Sequence, residues 1–297
     1  MAGATAYDPV QLSTRWETLT KWIVDFYPFI QPPLTFLAGF AVNPIRRYVQ
    51  RRLNSVRPLL PFASAKSVNV SYGLMDPNSL ERSYAAEEGN VATVFKVLEA
   101  LGHILGRVPL GLVSHVSVTD NPKLLQSLLC IGGPKWNSIT ARLIGDLGSP
   151  ARFSKSEACL VLRDSSTEEV VSYPTERGPG LARKCHGIIL SGIVEKIGHD
   201  RWSVVVCAGN TTLSAFGMAV HLKRLGTSRS LVRDLRRHGV VPHKRWGLVV
   251  EVTNRLNREM PGLESIPLPE ELVDTRVVRY LTEADFCEPY AYEYAES

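Results

Sequence analysis

Several common signatures of chemistry are missing from this chain. It has no GxGxxG dinucleotide fingerprint and no GxxxxGK[ST] phosphate loop. No GxSxG places a serine on a nucleophile elbow. The five cysteines (Cys130, Cys159, Cys185, Cys207, Cys287) lie far apart, with no CxxC and no histidine at metal-ligand spacing. No metal and no cofactor is therefore expected. An odd, scattered set of thiols in 297 residues is also not a disulfide framework. Cys130, Cys159 and Cys207 fall inside apolar runs, where a thiol packs as a small core residue. A reducing, cytoplasmic setting is the expectation. No repeat at solenoid spacing is present. Asp8, Arg15, Glu17 and Lys21 precede the first apolar stretch, and no cleavage site of small residues follows it, so a secretory signal is not expected.

What is present suits a globular protein: 44% hydrophobic and 21% charged residues, with a formal net charge of +5. The distribution says more than the sum. Asn43 to Lys66 holds Arg46, Arg47, Arg51, Arg52, Arg57 and Lys66 with no acid. Lys223 to Arg245 sets eight basic residues against Asp234, and Glu251 to the end sets eleven acids against four arginines. Opposite charge at the two ends predicts self-complementary packing in a homo-oligomer, or attraction to a membrane surface, over a uniformly cationic nucleic-acid binder.

Residues 22–42 form the most apolar window. At about 20 residues it is long enough to cross roughly 30 Å of hydrocarbon, and the arginines after it would keep the following domain on the cytoplasmic side. Asp25 and Pro32-Pro33 argue instead for amphipathic helices packed on protein. Both readings stand: membrane contact through 22–42 with Arg46, Arg47, Arg51 and Arg52 on anionic headgroups, or a packed helical segment. The expected organisation is a helical segment 1–54, a Pro-containing linker 55–66, a main domain 67–252 and an acidic, Pro-containing tail 253–297.

Within the main domain, strand patterns at Ser67–Met75, Gly111–Val118, Gln126–Ile131 and Ala158–Arg163 interleave with helical spacing at Asn90–Leu105, capped by Asn90, and with a helix whose first turn carries Lys135, Trp136, Asn137 and Ser138. Gly187–Val194 and Trp202–Ala208 read as arms of a hairpin, and Trp246–Val252 as a last strand. Ser228–His238 reads as a basic helix, either a solvated face or a dock for the acidic tail. The fold class expected is α/β, a Rossmann-like, mostly parallel (mixed) sheet with helices on both faces, preceded by an N-terminal apolar helical segment.

Two strand–turn–helix corners carry the functional reading. In Gly132-Gly133-Pro134-Lys135-Trp136-Asn137-Ser138, glycines free the backbone to approach a ligand, and proline suits the first helical position. First-turn amides and Lys135 would favour an anion, and Asn137 suits a ribose or base edge. The alternative is a tight junction capped by Asn137 or Ser138. In Gly209-Asn210-Thr211-Thr212 the threonines would bond a phosphate or cap the helix. If the two strands are neighbours, the corners flank one crevice.

Gly132, Gly133, Pro134 and Asn137, with Ala208, Gly209, Thr211 and Ala215, resemble the pattern of a group of uncharacterised prokaryotic Rossmann-like α/β domains. That pattern is Gly-Gly-Pro-x-x-Asn, then a later Ala-Gly and Thr-rich turn, and the likeness spans roughly residues 67–225. The resemblance implies a module for a nucleotide-like or other small phosphorylated ligand. A sensor attached to the inner face of the cell membrane is the leading expectation. An enzyme on a nucleotide-like substrate would need an acid or base from Asp76, Asp120 or Glu195, with Glu87 and Glu88 as further candidates. An assembly scaffold without ligand is the third. His115 reads as a sheet residue, and Cys185 and His186, adjacent on a strand, would face opposite sides.

Overall fold

A computed structural model describes residues 56–62, 64–73, 84–114, 117–118, 121–154, 159–163, 169–177, 182–195, 201–209, 211–255 and 270–295. The chain divides into two units, Met1–Arg52 and Leu53–Ser297, and every described residue belongs to the second. The apolar window 22–42, the arginines Arg46–Arg52, and Asp76, His115, Asp120 and Asn210 lie outside the described residues.

The strands are β1 (Val68–Tyr72), β2 (Leu110–Ser114), β3 (Ser127–Ile131), β4 (Ala151–Phe153), β5 (Leu160–Arg163), β6 (Val170–Tyr173), β7 (Glu176–Arg177), β8 (Ala182–Glu195), β9 (Arg201–Gly209), β10 (Trp246–Asn254) and β11 (Val273–Leu281). The α-helices are α1 (Tyr84–Leu105), α2 (Ser138–Asp146), α3 (Thr212–Thr227) and α4 (Arg229–Arg237). The main sheet runs β11-β10-β8-β9-β3-β1-β2, with β7 also on β8; β4-β5-β6 form a second, smaller sheet.

The main sheet is mixed α/β, but it is parallel only on one side. The pairs β1–β2, β1–β3 and β3–β9 are parallel. From β9 outward, β9–β8, β8–β10 and β10–β11 are antiparallel. The expectation of a mostly parallel sheet is corrected here. The hairpin β8–β9 reverses direction, and β10 and β11 continue the reversal.

Both faces are covered, because the central strands are apolar on both sides. On β9, Val205 and Cys207 join one core with Val97, Leu101 and Ile104 of α1 and with Phe216, Ala219 and Leu222 of α3. Val204, Val206 and Ala208 join the other, with Ile139, Leu143 and Ile144 of α2 and with Phe153 and Leu160 of the small sheet. This two-sided burial is why β9 reads WSVVVCA, without polar alternation.

Three boundaries differ from the sequence reading. The described part of the expected linker, 56–62 and 64–66, is not a loose connection. Val56, Leu59, Leu60 and Phe62 are buried in the first core, and the Trp246 indole N–H donates to the Leu59 carbonyl at 2.8 Å. α1 begins at Tyr84, so Asn90 is interior to the helix and not its cap. Nor does the domain end at Val252. β11 pairs with Gly247–Asn254 of β10, and the segment after it crosses α2: Cys287 N–H donates to Gly148 O at 2.8 Å and Tyr290 N–H to Gly145 O at 3.1 Å. Glycine is required beneath that crossing, since a Cβ on Gly148 would lie 1.9 Å from the Cys287 carbonyl oxygen.

Candidate functional site: the carboxyl rim of the parallel strands

The rim forms because β1, β3 and β9 are parallel neighbours in level register, Tyr72 beside Ile131 and Ile131 beside Cys207. Their carboxyl ends lead into Gly73, Gly132 and Gly209, so the two predicted corners stand side by side. Past this edge the chain diverges. β3 leads to α2 on one face, while β1 and β9 lead to α1 and α3 on the other.

Gly132 turns the corner at φ +98°, with nothing within 4 Å of where a Cβ would sit. Its position is left-handed and, among the described residues, open, which favours glycine. Gly133 and Pro134 are buried behind it. The N–H groups of Trp136 and Asn137 both donate to the Gly133 carbonyl, at 3.1 and 3.0 Å. Residues 134–136 are therefore a turn, and α2 begins only at Ser138. Pro134 is not the first helical residue, and the helix does not carry Lys135 or Trp136 in its first turn as expected.

Asn137 explains the difference. Its carboxamide oxygen accepts from Ile139 N–H at 3.1 Å and Thr140 N–H at 3.3 Å, while its Nδ2 donates to the Ile131 carbonyl at 3.1 Å. The residue is fully buried. It is the N-cap of α2 and ties the helix start to the end of β3. The capping role weighed at the sequence level is the one it performs. Two of the amides expected to await an anion are thereby occupied.

The second corner is similar. Gly209 is buried, and a Cβ there would fall 2.1 Å from Ser214 Oγ. Thr211 caps α3 in a reciprocal box: its Oγ1 accepts from Ser214 N–H, and Ser214 Oγ accepts from Thr211 N–H, both at 3.0 Å. Thr212, the first residue of α3, is half-buried at the rim. Lys135 and Ser138 are exposed there, with Lys135 Nζ 5.0 Å from the centroid of the Trp136 ring.

The other residues considered for chemistry sit elsewhere. Glu195 ends β8 opposite Arg201, the first residue of β9, and pairs with it. At ~3.3 Å per residue the length of β9 puts Glu195 about 25 Å from the rim. It cannot serve the crevice as acid or base. Glu87 and Glu88 fall in α1. Cys185 is buried in the first core, while His186 on the other face lies 5.1 Å from the Tyr173 ring and 3.7 Å from Glu251. Burial pushes the Cys185 thiol up to about 11 and Cys207 to about 12, which suits packed thiols and not nucleophiles. Among the described residues no cluster of His, Cys, Asp and Glu could hold a metal ion. No helix among them is long and apolar enough to cross a membrane.

The chain matches no family model, no curated protein and no solved structure. The fold is a mixed α/β sheet with a glycine-cornered rim on its parallel side.

Proposed function

We propose that the parallel half is a Rossmann-like module binding a nucleotide-like or other small phosphorylated ligand above the carboxyl ends of β1, β3 and β9, as a sensor. The observation that carries this reading is the divergence at the rim. β3 exits to one face and both its neighbours to the other, and ligands of open α/β sheets lie where successive connections part in this way. The roles divide. Gly133, Pro134, Asn137, Gly209 and Thr211 build the corners. The Gly132 position, the exposed Lys135 and Ser138 and the half-buried Thr212 lie at the rim where a ligand would meet them, and Lys135 supplies charge toward a phosphate. Attachment to the inner face of a membrane through residues 22–42 and Arg46, Arg47, Arg51 and Arg52 belongs to the same reading.

The test is thermal shift of the full chain across a panel of nucleotides and other phosphorylated metabolites. A ligand at a hundredfold excess over its Kd stabilises by about 2.7 kcal/mol, a shift that is easily read. Ser138→Glu and Lys135→Glu place negative charge at the rim from exposed positions, so each removes the shift while leaving the ligand-free melting temperature in place. A panel without any response overturns the proposal.

A further inference from the structure

The basic run Lys223–Arg245 separates into two sets. Lys223, Arg224 and Arg245 are used within the fold: Lys223 pairs with Glu270 at 2.8 Å, Arg224 with Asp274 at 3.6 Å and Arg245 with Glu283 at 2.7 Å. The acidic segment thus docks on these three. The arginines of α4 are left over. Val232 and Leu235 bury one side of that helix, while Arg229, Arg233, Arg236 and Arg237 are exposed. At 100° per residue the four arginines fall within an arc of about 100° and a length of about 12 Å. Arg237 lies 3.4 Å from Asp234, the single acid of the run; Arg229, Arg233 and Arg236 have no carboxylate partner among the described residues.

The helix ends in a turn that adds to this face. Gly239 at φ +83° reverses the chain, Val240 is buried, and Val241, Pro242, His243 and Lys244 are exposed, Val241 by 48%. An aliphatic tip beside unpaired guanidinium groups fits a surface with negative charge outside and hydrocarbon beneath. A nucleic acid fits less well. No Phe, Tyr or Trp lies between Arg229 and Arg245, and His238 is already stacked on Tyr280 with ring centroids 3.8 Å apart.

We propose that the exposed face of α4, with the turn Val241–Lys244, docks on an anionic phospholipid surface. None of its residues belongs to the rim.

The experiment is flotation of the full chain with phosphatidylcholine vesicles, with and without phosphatidylserine. It compares the wild type with the triple variant Arg229→Glu, Arg233→Glu, Arg236→Glu. Each basic residue near such a surface contributes about 1 kcal/mol, so the triple variant loses its preference for phosphatidylserine vesicles by on the order of 100-fold. Arg→Lys at the same three positions keeps the preference, and added salt weakens it in the wild type. Residues 22–42 and Arg46–Arg52 are common to all variants, so the difference isolates α4. Unchanged far-UV circular dichroism certifies the fold. A wild type that partitions equally onto both vesicles overturns the proposal, as does a triple-Glu variant that keeps the preference. Oligonucleotide binding lost in the triple variant, with no preference for phosphatidylserine, assigns the face to nucleic acid and overturns it as well.

Discussion

The amide of Gly132 donates to the carbonyl of Cys207 at 3.1 Å. This single bond carries the β3–β9 ladder one residue past the last strand residue, Ile131. The glycine corner is therefore pinned to its neighbour before the chain turns away at φ +98°. The Asn137 and Thr211 side chains then fix the two helix starts, so neither corner depends on the Lys135, Ser138 or Thr212 side chains.

Two glycines with positive φ should respond very differently to alanine. At Gly132 no described residue lies within 4 Å of an added Cβ, so Gly132→Ala meets chiefly backbone strain, about 1–2 kcal/mol. At Gly148, φ +65°, the added Cβ also meets the Cys287 carbonyl oxygen at 1.9 Å. Gly148→Ala must lift the C-terminal segment off α2, at a cost of about 3 kcal/mol or more. Urea denaturation measures both, and proteolysis within residues 282–295 should accelerate only in Gly148→Ala. Equal losses would mean that the crossing contributes nothing.

Asn137→Ala is expected to destabilise by about 2–4 kcal/mol, because it strands two helix amides and the Ile131 carbonyl in a buried position. Asn137→Asp keeps the acceptor but loses the donor and buries a charge against a carbonyl. It should be at least as damaging at neutral pH and recover in part on acidification, when the carboxyl takes up a proton. Urea midpoints at two pH values decide it. A neutral Asn137→Ala would show that the cap is dispensable.

The central strands were legible because burial on both faces removes polar alternation, as in Leu128–Ile131 and Val204–Ala208. The two corners were legible because glycine after an apolar run has few other uses. The role of Asn137 was not, since capping and ligand binding call on the same carboxamide and only burial separates them. The C-terminal segment was misread because Arg276, Arg279 and Asp274 interrupt β11, which needs only one covered face at the sheet edge. The partition of the basic run was hidden because its acidic partners, Glu270, Asp274 and Glu283, lie 38 to 50 positions away along the chain.

His221 should dominate stability between pH 4 and 6.5. It is buried in α3, its Nδ1 is 3.0 Å from Thr275 Oγ1, and Nε2 has no partner among the described residues. Burial, aided by the nearby Arg224 cation, pushes its pKa down to about 4 from 6.5. The folded pKa lies below the unfolded one, so in this window the unfolded chain takes up a proton that the native chain refuses. Stability is complete above pH 6.5 and falls as pH drops toward 4, by about 3 kcal/mol in all. His221→Gln should flatten that slope relative to wild type in urea titrations, while His186, whose pKa burial also lowers, contributes equally to both proteins. A wild-type profile with no slope attributable to His221 would contradict its burial as the neutral imidazole.

Four side chains close a ring that joins α1, α3 and the turn before β11. Lys96 pairs with Glu99 at 2.7 Å and with Glu270 at 2.8 Å, and Lys223 pairs with Glu99 at 2.9 Å and with Glu270 at 2.8 Å. Bonds from Lys96 and Lys223 hold the Glu99 carboxyl down at about 2. At Glu270 burial opposes ionisation, yet the same two lysines outweigh it and keep the pKa below the ordinary range. Glu270 is the member that links the helices to the edge strand. Removing its charge leaves two ammonium groups sharing one carboxylate. Glu270→Gln should therefore cost about 1 kcal/mol at low ionic strength, a figure already reduced for the partial exposure of the ring. The loss should shrink in molar salt, where the Debye length falls to about 3 Å. A double-mutant cycle with Lys223→Met separates the pair energy from lost packing of the lysine stem. Both carboxyl pKa values are depressed on folding, so this contribution is present above pH 4.5 and disappears as pH falls below it. A coupling indifferent to both salt and pH would mean that the ring is held by its aliphatic stems alone.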